Sequence, residues 1–587
     1  MVNEFIRTKI VCTIGPASED RETLGKMIDE GMDVCRLNFS HGTHEGHKRR
    51  IDTIKELRRQ KGVPIAILLD TRGPEIRTGN FEEKDIRLEV GQGFTITMDD
   101  IIGNKERCTV TYKRLIKDIS IGDRILIDDG LIELLVKELT EKDIICEVIN
   151  SGFINNRKGV NVPGVRTNLP AVTAKDEGDI IFGIENDIDY IAASFVRKAS
   201  DIIEIKKILE NNGGKKIKII AKIENQEGID NILEILDVSD GIMIARGDLG
   251  VEVPTERMPM LQKELINVCN RISKPVIVAT QMLDSMIRNP RPTRAEVTDV
   301  ANAILDGTDA IMLSGETAAG KYPVQAVETM NRIAYATEST IDFDGNFHSK
   351  KHNKELTITN AISHATCITA SDLKAKAIVT ATAGGYTARM VSSYRPKSPI
   401  IASTSNDRTY TQMNLLWGVI PIKGPEVTDT EELLRSAVDE AILQGHINEG
   451  DLVVITAGVP VGKAGNTNLI RVHIAMKIIV QGIGVGNSKF SGKAQIVDTT
   501  ASPQMFQEGN VLVASTANKD MMGMVEKASA IVIESGEITS DAVAVGLHLG
   551  IPVIVAAKDA TKLIKGGEIV TVDAEFGRVY SGEIKML

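Results

Sequence analysis

Aromatic residues are scarce in the 587-residue sequence, where they make up 4% and include a single tryptophan. That supply is too small for a protein that binds nucleic acid by stacking bases on aromatic rings. Positive charge is also short, because 69 Lys and Arg residues against 80 Asp and Glu residues leave a formal net charge of -11. We therefore expect no nucleic-acid partner and no general attraction to an anionic membrane, so any anionic ligand must meet a local group of cations.

Cysteine is the next scarce residue. The six cysteines are scattered, with no C-x-x-C pair and no other metal-ligand spacing, which is typical of buried free thiols in a reducing compartment. The N-terminal segment MVNEFIRTKIVCTIG lacks the apolar core and the cleavage site of a signal peptide, and no apolar run approaches the roughly 18 residues that cross a bilayer. The sequence thus predicts a cytoplasmic protein without a membrane partner.

The length predicts about four domains at roughly 150 residues each. Short apolar runs, each followed in most cases by an amphipathic helical pattern, occur eight times in the first 320 residues. Eight such units predict an α/β fold of the (β/α)8 TIM-barrel type. The runs are TKIVCTIG (8–15), DVCRLNFS (33–40), IAILLDT (65–71), IDYIAASF (188–195), KIIAKIEN (218–225), GIMIARG (241–247), PVIVATQM (275–282) and AIMLSGETA (310–318).

The barrel is predicted to be split into residues 1–74 and 170–345, because residues 75–169 show alternating strands with Gly and Asp turns instead of helices. We expect that insertion to be a small β-barrel lid. A polar linker at 342–355 then leads to an α/β regulatory domain at 346–476. A glycine-rich break, QGIGVGNSKFSGKA (481–494), precedes a last α/β domain at 488–587.

Polar residues follow several of the predicted barrel strands. In a TIM barrel the active site lies at the carboxyl ends of the strands, and burying charged groups there is costly without partners. Any one of these residues could be a stabilising ion pair, but their convergence indicates a site. They are Arg36, Asn38, Ser40 and His41 after the second strand, Asp70 and Thr71 after the third, Lys222 and Glu224 on the fifth, Gly247 and Asp248 after the sixth, Thr280 after the seventh and Ser314 after the eighth.

These residue types favour phosphoryl transfer. Glu224 and Asp248 are hard oxygen ligands suited to Mg²⁺ or Mn²⁺ with positions left for substrate. A second, weakly charged oxygen cage is better suited to a monovalent cation. Two anionic reactants about 4 Å apart repel by roughly 4 kcal/mol per unit-charge pair at an effective dielectric of 20, so a site that joins them needs several cations. The cage comprises Asn38, Ser40, Asp70 and Thr71, and the cations are Arg36, Arg77, Lys222 and Arg246.

Two glycine-rich segments resemble nucleotide loops without their spacing. The segment from Gly458 to Ala464 is one residue short of a P-loop and lacks its Ser or Thr. The glycines from Gly482 to Gly486 lack the Rossmann spacing and lie in the predicted break. Neither segment supports nucleotide binding.

At the residues of the predicted site the sequence resembles the pyruvate kinase family. The resemblance extends in family order through roughly the first 475 residues. Its motifs are KIVCTIGPAS, RLNFSHGTHE, LLDTRGPEIRTG, KGVNVPG, AASFVR, AKIEN, ARGDLGVE, ATQMLDSM, RPTRAEVTDVANAILDGTDAIMLSGETAAG and YRPKSPIIA.

The resemblance implies transfer of a phosphoryl group from phosphoenolpyruvate to ADP, giving pyruvate and ATP, with Mg²⁺ (or Mn²⁺) and K⁺, usually in a homotetramer. It assigns Lys222, Arg36 and Thr280 to catalysis, and Arg36, Gly247, Asp248, Thr280 and Ser314 to substrate binding. It assigns Glu224 and Asp248 to Mg²⁺, and Asn38, Ser40, Asp70 and Thr71 to K⁺. Asn38, His41, Arg77 and Lys158 fall on nucleotide contacts, and Glu75 is the residue type of K⁺-dependent members.

A possible effector site lies in the third domain. The loop TAGGYT follows the run AKAIVTA and opens a helix, so its amides and hydroxyls could hold a phosphate. In the family the matching loop binds a phosphorylated activator, and the alternative is an ordinary glycine turn. Ala383 and Tyr386 stand where fructose-bisphosphate-regulated members have Lys and Arg, which favours AMP, ribose 5-phosphate or glucose 6-phosphate. The predicted phosphate contacts are Thr382, Gly384, Gly385 and Thr387.

The last hundred residues resemble the swivelling phosphohistidine domain of phosphoenolpyruvate-utilising enzymes. The residue after T-S, phosphorylated His in that domain, is Asp541 here, so a carrier role is not expected and packing, oligomer stability or regulation is favoured. Two other functions remain open from the sequence. One is a lyase or aldolase barrel with a similar metal pair, and the other is a catalytically silent effector-binding homologue.

Overall fold

The computed structural model describes residues 5–343, 355, 357–427, 429–460, 465–476, 478–497, 505–536 and 541–583. These residues form two compact units. The first comprises residues 1–360, 383–397 and 406–421, and the second comprises residues 361–382, 398–405 and 422–587. This division does not test the four predicted domain boundaries, which stay a prediction. No helix in the described ranges is long and apolar enough to cross a membrane.

The first unit contains a closed barrel of eight parallel strands, in the order β1-β8-β7-β6-β5-β4-β3-β2. Both faces of the sheet are covered, so the strands are continuous apolar runs, and the TIM-barrel prediction is confirmed. The strands are β1 (Lys9–Thr13), β2 (Val34–Asn38), β3 (Ala66–Asp70), β4 (Tyr190–Ala193), β5 (Lys218–Ile223), β6 (Gly241–Ala245), β7 (Val276–Ala279) and β8 (Ala310–Leu313).

Amphipathic helices follow the barrel strands. Two of them matter for the site. Helix α1 (His44–Lys61) begins at Thr43, whose side chain accepts a hydrogen bond from Gly46, and helix α2 (Ala174–Glu185) begins with a capping box. The other α-helices of the barrel are Arg21–Asp29, Ala199–Asn211, Gln226–Asp230, Ile232–Val238, Arg246–Glu252, Met258–Ile272, Arg294–Asp306, Gly315–Ala318 and Pro323–Glu338, and the 3₁₀ turns are Thr255–Arg257 and Asp284–Ile287.

The insertion between β3 and β4 is almost entirely β-structure. A six-stranded sheet and a two-stranded sheet share one apolar core, and one short helix interrupts them. The larger sheet contains Gly93–Thr97, Arg107–Thr109, Arg124–Ile127, Ile132–Leu139, Asp143–Val148 and Val160–Asn161; the smaller contains Ile86–Leu88 and Gly152–Ile154; the helix is Leu115–Asp118. Helices Tyr386–Ser392 and Asp407–Gln412 and the turn Met413–Leu415 also belong to this first unit.

The second unit contains two sheets. The five-stranded sheet has the order Val419–Lys423, Ile400–Thr404, Ala377–Ala381, Leu452–Ala457 and Leu469–Ile474, and its helices are Ile358–Asp372 and Thr430–Leu443. The eight-stranded sheet has the order Ile478–Gln481, Arg578–Ser581, Ile569–Asp573, Lys489–Val497, Val511–Ala514, Ala530–Ile533, Val553–Val555 and Ile483–Val485; its helices are Met522–Val525, Asp541–Leu549 and Ala560–Leu563, with a 3₁₀ turn at Lys519–Met521.

The prediction of a glycine-rich break at 481–494 is wrong. Three strands of the eight-stranded sheet, from Ile478 to Val497, occupy this segment. A Cβ atom on Gly484 would collide with the carbonyl of Ala574, and one on Gly482 would collide with that of Val555. The glycines therefore permit close approach of neighbouring backbones within a sheet and do not mark a linker.

Several predictions fall on residues outside the described ranges. They include most of the linker at 342–355, the end of the P-loop lookalike at 461–464, and the residues that precede Asp541. Asp541 itself begins a helix and is exposed. All six cysteines are buried and none forms a disulfide, as the scattered spacing predicts.

Candidate active site

The polar residues at the ends of β2, β3 and β5 meet at the mouth of the barrel. Arg36 Nε donates to Asp70 Oδ2 over 2.6 Å, and Arg36 Nη1 donates to Thr13 Oγ1 over 2.8 Å. Lys222 Nζ lies 3.2 Å from Asp70 Oδ1 and 2.8 Å from Glu224 Oε1. Two cations and two carboxylates thus form one connected group, as the convergence of the predicted residues implies.

Ser194 is the residue of this group that sequence reasoning missed. Its hydroxyl accepts from Lys222 Nζ over 2.8 Å and lies 2.7 Å from the Thr71 carbonyl oxygen and 3.2 Å from Asp70 Oδ1. The backbone amide of Ser194 donates to Thr71 Oγ1 over 3.1 Å. Its position could have indicated it, because Ser194 directly follows β4 and the neighbouring strands β3 and β5 carry the predicted site residues Asp70 and Lys222.

Burial and mutual charge set the ionisation of the cluster. Burial alone would raise the pKa of Asp70, but the charges of Arg36 and Lys222 outweigh it and hold that pKa below its usual value. Burial opposes the charged form of Lys222 as well, yet Asp70 and Glu224 raise its pKa above the ordinary value. Both groups therefore stay charged in the buried site.

The pKa values of Glu224 and Asp248 are raised, in contrast to that of Asp70. Burial, the larger cause, and the charge of Asp248 raise the pKa of Glu224 to about 7. Burial also raises the pKa of Asp248, against the opposing charge of Lys222. Two neighbouring carboxylates whose charged forms are disfavoured by burial fit a divalent cation, which would offset that cost.

The protein supplies only part of such a coordination sphere. Among the described residues no three His, Cys, Asp or Glu side chains are grouped as a complete metal-ligand set. Glu224 is fixed from behind, since its Oε2 accepts from the Phe195 amide over 2.5 Å. Mg²⁺ usually keeps several non-protein ligands, so this incomplete set suits a metal that also binds substrate oxygens.

Thr280 and Gly247 face each other at the ends of β7 and β6. The Gly247 amide donates to Thr280 Oγ1 over 2.7 Å. Thr280 has a φ of 70°, a conformation that is costly for a β-branched residue and is maintained where the surrounding structure demands it. Ser314 Oγ is buried and makes no hydrogen bond within the described part of the chain. These groups are placed to receive a polar ligand.

Arg246 does not face the site as a free cation, and that prediction is corrected. Its two terminal nitrogens lie 2.7 Å from the two oxygens of Asp299, and Nη2 also donates to the Thr280 carbonyl over 2.8 Å. A guanidinium pairs with a carboxylate through two parallel bonds in this way. Arg246 therefore anchors the strained backbone at Thr280.

The predicted K⁺ ligands lie side by side. Asn38 and Asp70 are register partners on β2 and β3, and Asn38 Oδ1 accepts from the Ser40 amide over 3.0 Å. Thr71 contributes a carbonyl that already accepts from Ser194. The set offers several neutral oxygens and one carboxylate shared with two cations, which fits a singly charged ion better than a second dication.

The predicted nucleotide contacts are only partly brought together. A cavity of about 370 Å³ is lined by Arg77 and Lys158 from the lid and by Asp248 from the barrel. Arg77 Nε lies 2.6 Å from Glu75 Oε2, and Lys158 Nζ lies 2.8 Å from Asp128 Oδ2. His41 and Asn38 are not among the residues that line this cavity, and the His41 side chain is exposed.

The predicted effector loop is ordered as a turn before a short helix. Thr382 follows the strand Ala377–Ala381, and its amide donates to the Ser403 carbonyl over 3.0 Å. Gly385 has a φ of 76° and begins the helix Tyr386–Ser392, which contains Thr387. The turn needs glycine at this φ, and Gly384 has open space around it. Phosphate binding here stays a prediction.

Comparisons with known proteins agree along the whole chain. The family model of the pyruvate kinase barrel domain matches residues 5–327, that of the pyruvate kinase alpha/beta domain matches residues 360–473, and that of the mobile domain of PEP-utilising enzymes matches residues 506–577. The pyruvate kinase of Geobacillus stearothermophilus is 52% identical over 99% of this chain and all of its own length. The chain belongs to the pyruvate kinase family.

Two further relatives support the assignment to the pyruvate kinase family. The pyruvate kinase of Sporosarcina psychrophila is 50% identical over 99% of this chain and the whole of that protein. A crystal structure of a pyruvate kinase from Cryptosporidium parvum superposes with a TM-score of 0.77 at 40% identity, covering 80% of this chain and 96% of that one. The chain is an enzyme of glycolysis that forms pyruvate and ATP from phosphoenolpyruvate and ADP, with Mg²⁺ and K⁺. The lyase and silent-homologue alternatives are not supported.

Proposed function

We propose that this enzyme carries out its reaction at the barrel mouth, with Lys222 stabilising the phosphoryl group in transit. The observation that carries the proposal is the position of the Lys222 ammonium, 2.8 Å from Glu224 and 3.2 Å from Asp70. It is held beside the carboxylates that would bind Mg²⁺, so a phosphoryl group bound there meets a fixed positive charge. Fixed charge that need not reorganise is the main source of catalysis in phosphoryl transfer.

The other residues divide the reactants between them. Arg36 is braced by Thr13 and Asp70 and presents its remaining donors to phosphate. The Gly247 amide and Thr280, with Ser314, would receive the carboxylate side of phosphoenolpyruvate. Arg77 and Lys158 line the adjoining cavity and would hold the nucleotide phosphates. His41 stays a proposed nucleotide contact at the rim of the site.

Glu224 and Asp248 would hold Mg²⁺, and Asn38, Ser40, Asp70 and Thr71 would hold K⁺. When bound, these cations supply positive charge that offsets the repulsion between two anionic reactants. The protein's own contribution is to fix the carboxylates and carbonyls that receive them, through the Phe195 amide at Glu224 and the Ser194 hydroxyl at Thr71.

The proposed cation requirement is tested by coupling pyruvate formation to lactate dehydrogenase. Purified enzyme is supplied with phosphoenolpyruvate, ADP and Mg²⁺ in either KCl or tetramethylammonium chloride at equal ionic strength. We expect turnover in KCl and a large loss in tetramethylammonium. Equal rates in the two salts would contradict the proposed K⁺ role of Asn38, Ser40, Asp70 and Thr71.

Location, assembly and regulation are proposed from the family resemblance. We propose a cytoplasmic homotetramer activated by a phosphorylated metabolite at Thr382, Gly384, Gly385 and Thr387, with Asp541 excluding a phosphohistidine carrier role for the last domain. Light scattering coupled to size exclusion tests the tetramer. A screen of AMP, ribose 5-phosphate and glucose 6-phosphate for a lowered half-saturating phosphoenolpyruvate concentration tests the effector, and no response to any of them would leave the loop a structural turn.

A further inference from the structure

The loop from Asn38 to His41 carries two of the proposed K⁺ ligands and is held from outside the site by two side chains. Lys175 Nζ on helix α2 donates to the Phe39 carbonyl over 2.7 Å. His47 Nε2 on helix α1 lies 2.8 Å from the His41 carbonyl oxygen. Both contacts are made to backbone carbonyls of the loop, and neither residue is among the proposed catalytic, substrate or cation ligands.

Lys175 is itself held by an ion pair. Its ammonium lies 2.6 Å from Asp179 Oδ2, and Asp179 Oδ1 lies 2.7 Å from His44 Nε2. The Asp179 side chain is 3% exposed, whereas those of Lys175 and His44 are each 46% exposed. A buried carboxylate thus orients a half-exposed lysine toward one backbone oxygen.

The ring of Phe39 packs against the same structure. It stacks on the His47 ring with centroids 3.9 Å apart at 11°, and the Phe182 ring lies 5.8 Å away. Phe39, His47 and Lys175 border a cavity of about 260 Å³ between the starts of helices α1 and α2. Because space adjoins the loop there, the loop would be free to shift if the Lys175 contact were lost.

We propose that Lys175, oriented by Asp179, is a positioning residue that holds the loop from Asn38 to His41 in the geometry that binds K⁺. The proposal rests on the K⁺ site proposed above. Asn38 and Ser40 flank Phe39 in the chain, and the Ser40 amide donates to Asn38 Oδ1, so a change in the orientation of the Phe39–Ser40 peptide would displace both ligands. Lys175 sets the affinity of the site for K⁺ without touching the ion or the substrates.

The direction of the effect separates positioning from simple charge repulsion. Lys175 carries a positive charge close to a cation site, and repulsion alone would weaken K⁺ binding. If positioning dominates, removing the ammonium weakens K⁺ binding; if repulsion dominates, removing it strengthens K⁺ binding. Lys175→Arg keeps the charge and a donor and should retain most of the wild-type affinity.

The test compares the full-length wild type with Lys175→Met, Lys175→Arg and a matched control, Lys48→Met. Lys48 forms an exposed ion pair with Asp52 four residues further along helix α1. The melting temperature of each protein is measured across KCl concentrations, with tetramethylammonium chloride keeping ionic strength constant, which gives a K⁺ midpoint without turnover. The half-activating K⁺ concentration is measured in parallel by coupled assay.

We expect both K⁺ midpoints to rise at least threefold in Lys175→Met, with the Michaelis constant for phosphoenolpyruvate at saturating K⁺ changed less than twofold. Lys175→Arg and Lys48→Met should stay within twofold of wild type. Asp179→Asn should shift the midpoints in the same direction as Lys175→Met. If the wild type needs K⁺ but the midpoints in Lys175→Met are unchanged or lowered, only the proposed role of Lys175 is overturned. If the wild type shows no K⁺ dependence, the proposed K⁺ site is overturned as well.

Discussion

The Lys222 ammonium lies 2.8 Å from Glu224 Oε1, and the two residues are two positions apart on one strand end. Residues separated by two lie on the same face of an extended chain, so β5 delivers a cation and the carboxylate proposed to bind Mg²⁺ to the same point. In the proposed mechanism this pair is the centre of the site, because the phosphoryl group would meet Lys222 directly and Glu224 through the divalent cation.

Replacing Lys222 by methionine should lower turnover by at least about 10²-fold, since a preorganised charge-stabilising donor is lost. The matched control is Lys218→Met, which removes a lysine from the opposite end of the same strand. The coupled assay should show near-normal turnover for the control. Comparable rates for wild type and Lys222→Met would rule out the proposed catalytic role.

Ser194→Ala should lower turnover about tenfold while the melting temperature changes little. The hydroxyl bridges Lys222 and the Thr71 carbonyl, and a hydrogen bond to a charged group is worth about 1.5–3 kcal/mol, which corresponds to roughly 10- to 100-fold if it is fully expressed in the transition state. Steady-state kinetics at saturating K⁺ and Mg²⁺ measure the change. Full turnover in Ser194→Ala would mean that Lys222 is positioned by Asp70 and Glu224 alone.

Much of the fold was predictable because the barrel strands are buried on both faces and must be apolar throughout, whereas their carboxyl ends must carry the chemistry. Lys222, Glu224 and Asp70 were predicted as site residues because they are charged groups at the ends of apolar strands. The same reasoning fails for Arg246, because its ion-pair partner Asp299 lies on a helix 53 residues later in the chain. Strand-end position cannot distinguish a cation that faces a ligand from one that anchors a backbone.

The glycine-rich segment at 481–494 illustrates a second limit. Glycine serves both flexible turns and close backbone contacts, and local sequence does not separate the two uses. Only the neighbouring strands, more than 60 residues away at Val553–Val555 and Ile569–Asp573, decide between them.

Acid should destabilise the second unit through His473. Burial, together with the charges of Arg471 and Arg578, lowers the pKa of His473 to about 4 in the folded protein, whereas an unfolded histidine titrates near 6.5. Between these values the unfolded state binds the extra proton, so stability falls as pH drops below about 6.5 and levels off near 4. From pH 6.5 to 5 the loss is about 2 kcal/mol at most and less after solvent screening.

Thermal unfolding of wild type and His473→Gln at pH 7.5 and pH 5 measures this contribution. The variant should lose less stability than wild type on acidification, because glutamine does not titrate. Equal acid sensitivity of the two proteins would show that other groups cause the loss. His446, whose pKa is also lowered by burial, is the first of these to examine by the same substitution.

Gly484→Ala should destabilise the eight-stranded sheet and leave the active site intact. The added Cβ would collide with the Ala574 carbonyl, a backbone atom that cannot move aside without disturbing the sheet, and overpacking of this kind costs about 1–3 kcal/mol. Gly566→Ala is the matched control, since the space around Gly566 is open and its φ is not positive. Thermal unfolding should show a lowered transition only in Gly484→Ala, and the coupled assay below that transition should give equal turnover for both variants. A melting temperature unchanged by Gly484→Ala would show that the strand Ile483–Val485 is not packed as described, and a loss of turnover at temperatures where the sheet remains folded would show that this sheet affects catalysis.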